Sequence, residues 1–380
     1  MKICFLSSMH PARDKRVFEK EAVSLAAAGF DVTHLCPGTE ADAGTFSGVR
    51  IVIYPRRKGL AGRIGQFRDL YRRAKQLDAD VYHCNEVDSW VIGVLLRVLR
   101  RKRCVFDVHE HYPSTFAESR FPPRLRPLVA ALVRVGFRFL TPFTDRIIAA
   151  KRSVAGDFPN ASGKLLLVQN FTPVAAIRWA ADRAFGDGSR PVTLIHLGLF
   201  SKVRGWPQVL DALAAMRDKT VRLEIVGEIN DGTRPELEQR VADLGLSGRV
   251  MIREWMPFRE AFGLLCRADI GLVTFQPGIL NHVYAMPHKM FDYMAAGLAV
   301  VCPSFAEEVA PIVSESRCGV LVDPSDSREL GAALDRLASS PEMRREMGRR
   351  GQQAVREWYN WEVEAEKLIH MYQSWQVAAR

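Results

Sequence analysis

No C-x-x-C pair, no G-x-G-x-x-G, no G-x-x-x-x-G-K-[ST] and no low-complexity tract occurs in the 380 residues. The seven cysteines, Cys4, Cys36, Cys84, Cys104, Cys266, Cys302 and Cys318, are odd in number and scattered through apolar runs. That pattern argues against a disulfide framework or a zinc ribbon and for reduced core thiols. Without either glycine-rich fingerprint, dinucleotide dehydrogenases and P-loop enzymes fit poorly. Long apolar runs are also missing: Leu128–Val133 meets Arg134 far short of the roughly 20 residues a spanning helix requires. Met1–Leu6 has too short an apolar core for a secretory signal and reads as a buried first strand, so export is not expected. What is present, 48% hydrophobic and 25% charged residues, excludes a disordered or fibrous chain and suffices for two compact domains.

The net charge of +10 is unevenly placed. Residues 1–175 hold 28 Lys and Arg against 16 Asp and Glu, a balance of +12, while the remainder holds 25 against 27, a balance of −2. A basic first half points to an anionic partner: nucleic acid, an anionic membrane or a phosphorylated substrate. The basic groups concentrate at Arg56–Arg63, Phe67–Lys75 and Arg120–Arg126, the last preceding an apolar helix that carries Arg134 and Arg138. Basic residues interleaved with Phe, Leu and Val suit a membrane interface, or an ordinary amphipathic helix on a sheet. No nucleic-acid reader motif accompanies them, so a nucleic-acid partner is not expected.

Short β-rich runs alternate with amphipathic stretches, which predicts parallel sheets wound with helices. Strands are expected from Lys2–Ser7 through Lys164–Gln169 in the first half, and from Val192–Leu197 through Gly319–Val322 in the second. The turn-rich segment Ala184–Pro191 lies between them, and the end of the chain is helical. In such sheets ligands sit beyond the carboxyl ends of the strands, so the loops there are where function is sought.

Four loops carry chemistry. Ser7–Arg13 runs into Asp14-Lys15-Arg16 at a helix start, suited to an anion or simply capped by Asp14. Phe106–Pro113 places Asp107, His109, Glu110 and His111 at a strand end; a metal would need a third ligand that is not legible there. Leu197–Gly205 passes through Gly198, carries Lys202 and Arg204 and enters a helix, an arrangement suited to a diphosphate. Asn281–Gly297 predicts a helix of about ten residues started by Pro287 and stopped by Gly297, with His288, Lys289 and Asp292 sharing a polar face.

The Gly198–Gly205 loop, the run Pro-His-Lys-Met-Phe-Asp-Tyr-Met-Ala-Ala-Gly ending at Gly297, and Cys318–Pro324 together resemble glycosyltransferase family 4, over nearly the whole chain. The resemblance implies an α/β GT-B fold: two Rossmann-like, doubly wound domains facing across a cleft, with C-terminal helices. Residues 1–175 would bind the acceptor and 176–355 the nucleotide sugar, and 356–380 would pack back toward the first domain. It implies a retaining, nucleotide-sugar-dependent hexosyl transfer to a glycan or lipid-linked acceptor in cell-surface polysaccharide biosynthesis. His109, Arg204 and Lys289 would be catalytic. Gly198, Lys202, Arg204, Lys289, Asp292, Tyr284 and Glu254 would bind the donor, and Asp14, Arg16 and Glu110 the acceptor.

Two departures stand out. The family's usual pair of glutamates becomes Tyr284 and Asp292, and its glycine-rich first loop becomes His10–Arg16. No D-x-D stands at a donor loop, and basic groups and helix amides can stabilise a leaving diphosphate, so neither a metal nor another cofactor is expected. The placement expected is cytoplasmic, peripheral on the anionic inner face of the cell membrane. A non-catalytic nucleotide-sugar-binding protein or a sugar-nucleotide epimerase of the same fold is the alternative.

Overall fold

The computed structural model describes residues 1–57, 59–178 and 190–377, except for the side chains of 59–61, 118–120, 176 and 177. Lys58, most of the turn-rich segment Ala184–Pro191 and the Arg120 side chain therefore lie outside the described residues. Two compact units form, one from Met1–Asn170 with the segment from Val363 onward, the other from Phe171–Glu362.

The first unit contains β1 (Lys2–Leu6), β2 (Asp31–Pro37), β3 (Gly44–Phe46), β4 (Val49–Tyr54), β5 (Val81–Cys84), β6 (Arg103–Val108), β7 (Arg146–Ala149) and β8 (Leu165–Leu167). They order as β3-β4-β2-β1-β5-β6-β7-β8. Every pairing is parallel except β3 with β4. The strand alternation does not predict that hairpin; its turn uses Ser47 and Gly48, both at positive φ (49° and 81°). A short helical segment, Val17–Ala22 with Val23–Ala27, follows β1, and the longer helices are α1 (Gly59–Leu77), α2 (Val87–Arg100), α3 (Tyr112–Arg120) and α4 (Arg126–Leu140). Covered on both faces, the strands read as continuous apolar runs: Ile3, Cys4, Phe5 and Leu6 are all at most 1% exposed. Gly93 lets α2 lie close on the sheet, since a Cβ there would come within 2.8 Å of the sulfurs of Cys84 and Cys104.

The second unit holds β9 (Thr193–Leu197), β10 (Arg222–Val226), β11 (Val250–Arg253), β12 (Ile270–Leu272), β13 (Ala299–Pro303) and β14 (Gly319–Val322). All are parallel, in the order β11-β10-β9-β12-β13-β14. Helices α5 (Trp206–Ala215) and α6 (His288–Ala295) follow the two loops of interest. Separate apolar clusters cover the two faces of this sheet. The units part after Asn170 rather than after residue 175. Phe171 packs in the second unit's core, with its ring 4.7 Å from that of Phe291 and 5.5 Å from that of Tyr359. The chain leaves that unit through α7 (Trp361–Val377). Its residues from Val363 onward belong to the first unit, where the Tyr372 hydroxyl lies 2.8 Å from Nδ1 of His83. All seven cysteines are free thiols, six of them buried. Among the described residues no helix is long and apolar enough to cross a membrane.

Candidate active site

In the second unit the strand order reverses between β9 and β12, and a doubly wound sheet forms its ligand crevice at such a point. The loop after β9 turns at Gly198 (φ 89°) and again at Gly205 (φ 87°), which begins α5. Both angles are ones a side chain resists. Gly205 also lies against the loop after β12: a Cβ there would stand 2.4 Å from the Thr274 carbonyl oxygen and 2.6 Å from Nε2 of Gln276. This close approach aims Arg204 across the ring of Phe275, with its guanidinium carbon 5.5 Å from the ring centre.

Lys289, in the first turn of α6, reaches the same ring at 5.9 Å and places Nζ 2.8 Å from Nε2 of His196 on β9. His196 is fully buried, and its Nδ1 has no hydrogen-bond partner among the described residues. Burial first, then the charge of Arg204, holds Lys289 well below the ordinary lysine range. Burial lowers Arg204 too. Two basic side chains thus converge with no carboxylate bonded to either among the described residues, next to a helix start, which suits a phosphate.

Other predicted donor contacts are placed differently. Asp292 is 2% exposed, and its Oδ1 accepts a 2.6 Å hydrogen bond from the Thr172 hydroxyl, so it ties the segment after Phe171 to α6. Lys202 pairs with Glu236 at 2.6 Å on the surface, and Glu254 pairs with Arg234. Tyr284 ends the short helix Leu280–Val283 and is partly buried. His196, Phe275 and Tyr293 were not singled out from sequence. The Tyr293 hydroxyl accepts from the Leu197 amide at 2.8 Å and its ring fills the space over Gly271, bracing the crossing of β9 and β12.

In the first unit the reversal falls between β1 and β5. The amides of Ser8, Met9 and His10 point into one carboxylate, that of Glu86, at 2.8, 2.9 and 3.0 Å. The anion held by the loop after β1 is therefore the protein's own. Asp14 caps the following turn by accepting from the amides of Arg16 and Val17 at 2.8 and 2.9 Å. Arg16, expected to meet an acceptor, is 4% exposed; it grips Asp107 through Nε and Nη2 at 3.1 and 2.9 Å and lies 2.9 Å from Glu21. Its charge is compensated inside the unit by these two carboxylates.

His109 lies at the edge of this cluster, 14% exposed, and its Nε2 is in short contact with Asp107. His10 meets its ring edge-on, with centres 5.2 Å apart. Glu110 is exposed. Burial acts to raise Asp107, but Arg16 and His109 hold it well below the carboxylate range; burial pushes Glu21 well above it. Glu21, His83 and Asp107 bring ligating atoms within 4.8 Å of one another. The guanidinium of Arg16 already sits among them, however, and a second cation there would be repelled. Beside the end of β1 a cavity of about 480 Å³ is lined by Ser8, Met9, Arg56, Arg63, Phe67 and Arg68.

Comparison with known proteins gives a family model described as Glycosyltransferase Family 4 over residues 16–170, and one described as Glycosyl transferases group 1 over 191–340. The chain belongs to glycosyltransferase family 4. Among curated relatives, an MMP alpha-(1->4)-mannosyltransferase of Mycolicibacterium hassiacum is 26% identical over 172 residues, 45% of this chain and 40% of that protein. The Rhizobium meliloti lipopolysaccharide core biosynthesis glycosyltransferase LpsD is 24% identical over 50% of this chain and 52% of its own length. The chain thus spans about half the length of the curated relatives it matches. Among solved structures, Anabaena HepE in complex with UDP superposes with a TM-score of 0.73 at 16% identity, covering 98% of this chain and 100% of that one. Sucrose-phosphate synthase from Thermosynechococcus elongatus gives 0.74 at 18%, covering all of both chains. These likenesses establish the fold of the family-4 chain as GT-B.

Proposed function

We propose that the protein is a retaining glycosyltransferase that moves a sugar from a nucleotide-sugar donor to a lipid-linked or free glycan acceptor in cell-surface polysaccharide biosynthesis. It would work peripherally at the cytoplasmic face of the membrane. One observation carries the reading: Arg204, half-buried, and Lys289, buried, converge over Phe275 at the reversal point of the second sheet, without a bonded carboxylate among the described residues. Departure of a nucleoside diphosphate builds negative charge on its terminal phosphate, and basic side chains placed beside it stabilise that charge as it forms. No divalent ion is then required. Gly198 and Gly205 let the backbone approach, and the start of α5 adds its amides.

His109 takes the acceptor-side role. With Nε2 engaged by Asp107, its Nδ1 is left for a sugar hydroxyl. The cavity beside β1, where Arg63 pairs with Asp88 but Arg56 and Arg68 form no ion pair among the described residues, suits the phosphate of a lipid-linked acceptor. The relatives point the same way, being a mannosyltransferase, lipopolysaccharide core enzymes and a protein captured with UDP-glucose.

The test is incubation with UDP-, GDP- and ADP-sugars and a lipid-linked or soluble glycan acceptor, with the product's anomeric configuration read by NMR. Transfer with an inverted anomeric centre overturns the retaining mechanism. Tight binding of a nucleotide sugar without any turnover leaves the non-catalytic reading, and release of an altered sugar without transfer leaves the epimerase.

A further inference from the structure

Helix α4 has fifteen residues, and only Phe137 among them is buried. Phe137 is pinned in an aromatic cluster, its ring centre 5.3 Å from Trp90 and 5.1 Å from Phe158. Val133 and Leu140 pack beside it against the same core, while a second set of large apolar side chains faces away from the unit. Leu125 just before the helix, then Leu128, Leu132, Val135 and Phe139, are 46, 60, 62, 59 and 70% exposed. Steps of three and four residues put them on one stripe, about 21 Å long at the helical rise.

The stripe continues past the helix. Phe139 and Phe143 lie 6.1 Å apart, and Phe143 is 40% exposed. Arg97 on α2 binds Asp145 at 3.0 Å, which ties the last turns of α2 to the segment directly after Phe143. Those turns expose Val98 and Leu99, at 55 and 61%, followed by Arg100 and Arg101. Monomeric proteins in water rarely leave an apolar surface of this extent uncovered.

Charge decides what covers it. Residues 121–144 carry Arg124, Arg126, Arg134 and Arg138 and no Asp or Glu. Arg134 reaches Asp157 at 3.5 Å, whereas Arg124, Arg126 and Arg138 form no ion pair among the described residues. Two copies joined through this face would set arginines against arginines. An anionic lipid leaflet offers acyl chains to the stripe and phosphate to the arginines, the pairing used by helices that lie in a membrane interface.

We propose that the outward face of α4, extended by Phe143 and the last turn of α2, inserts into an anionic lipid surface. This deepens the peripheral-membrane part of the proposed function. It adds an apolar contact to what the basic first half alone would give, and it holds whether or not sugar is transferred.

Co-sedimentation of the full chain with phosphatidylcholine vesicles, with and without phosphatidylglycerol, tests it. Binding to phosphatidylglycerol vesicles is expected, with a fraction that survives high salt, because salt screens charge and leaves apolar burial in place. The combined variant Leu128→Ser, Leu132→Ser, Val135→Ser, Phe139→Ser should lose on the order of tenfold or more in vesicle affinity and all salt-resistant binding. Its thermal unfolding and its transfer to a soluble acceptor should be unchanged, since these side chains face outward. Leu132→Trp should show a blue-shifted emission on vesicles and quenching by brominated acyl chains.

An unshifted tryptophan, or a quadruple variant that binds like the parent, means that the arginines act alone and overturns insertion. Absence of vesicle binding, with a dimer in sedimentation that the same substitutions dissolve, means that a second copy covers the stripe. Vesicle binding of a protein with no transferase activity would sink the enzymatic reading and leave this one standing.

Discussion

Nζ of Lys289 lies 2.8 Å from Nε2 of His196, two basic groups buried against each other across 93 residues of chain. Both titrate low. Lys289 is held down by burial and then by Arg204, and His196 by burial and then by Lys289. A diphosphate beside Lys289 would supply the missing negative charge and raise its pKa, so binding takes up protons at pH values between the free and the bound pKa. Affinity is then highest below the free value and falls as pH rises through that window. Calorimetry of UDP or GDP binding across a pH series, in buffers of different ionisation enthalpy, should show net proton uptake in the window between the free and the bound values. Uptake should vanish in Lys289→Ala; zero uptake by the parent removes Lys289 from the phosphate site.

Arg204→Ala removes a charge-assisted contact worth about 1.5–3 kcal/mol. Nucleoside diphosphate affinity should fall roughly ten- to a hundredfold by that figure, with the free nucleoside hardly affected. Equal losses for both ligands would make Arg204 a structural residue.

Asp107 compensates Arg16 inside the first unit, and Arg16 is left buried without its fork partner in Asp107→Ala. Breaking a buried pair from one side costs about 3–5 kcal/mol, visible as a lower denaturant midpoint. His109→Ala, at the edge of the same cluster, should keep most of the stability while turnover drops. A stable Asp107→Ala would show that water or a neighbour replaces the carboxylate.

At Gly205 both the positive φ and the 2.4 Å approach to the Thr274 carbonyl oxygen oppose a side chain. Gly205→Ala should destabilise by at least about 2 kcal/mol and weaken diphosphate binding, because the loop carrying Arg204 must move. Differential scanning calorimetry with and without UDP reads both effects, and an unchanged melting temperature would refute the tight approach.

Transfer should persist after exhaustive chelation, since Arg204 and Lys289 can perform the neutralisation a metal would supply. Loss of activity restored by magnesium or manganese would overturn this.

Much of the fold was legible because it depends on neighbours in sequence. Short continuous apolar runs mark the strands, and Pro287 and Gly297 bracket α6. The β3–β4 hairpin escaped notice although Ser47-Gly48 between Phe46 and Val49 was a turn signal, and α3 was hidden by Pro113, which sits harmlessly in its first turn. At the site, Arg204 and Lys289 were visible as basic residues at strand-to-helix junctions. Phe275 and His196 were not, since neither belongs to a charged or glycine-rich pattern.

The sequence by itself determined two wound α/β halves, a basic first half, and the loops that carry the ionisable groups. Only the tertiary structure decided the state of each group. Arg16 and Asp14 look like a ready anion site, yet Arg16 is compensated by Asp107 and Glu21, and the amides before it are filled by Glu86. The apolar period of α4 marks a face but not its covering; the fold buries Phe137 and leaves Leu128, Leu132, Val135 and Phe139 outside. Backbone conformation follows from local sterics and periodicity. Whether a charge is paired or an apolar face covered depends on groups brought from elsewhere in the chain, here Asp107 91 residues from Arg16 and Lys289 93 residues from His196.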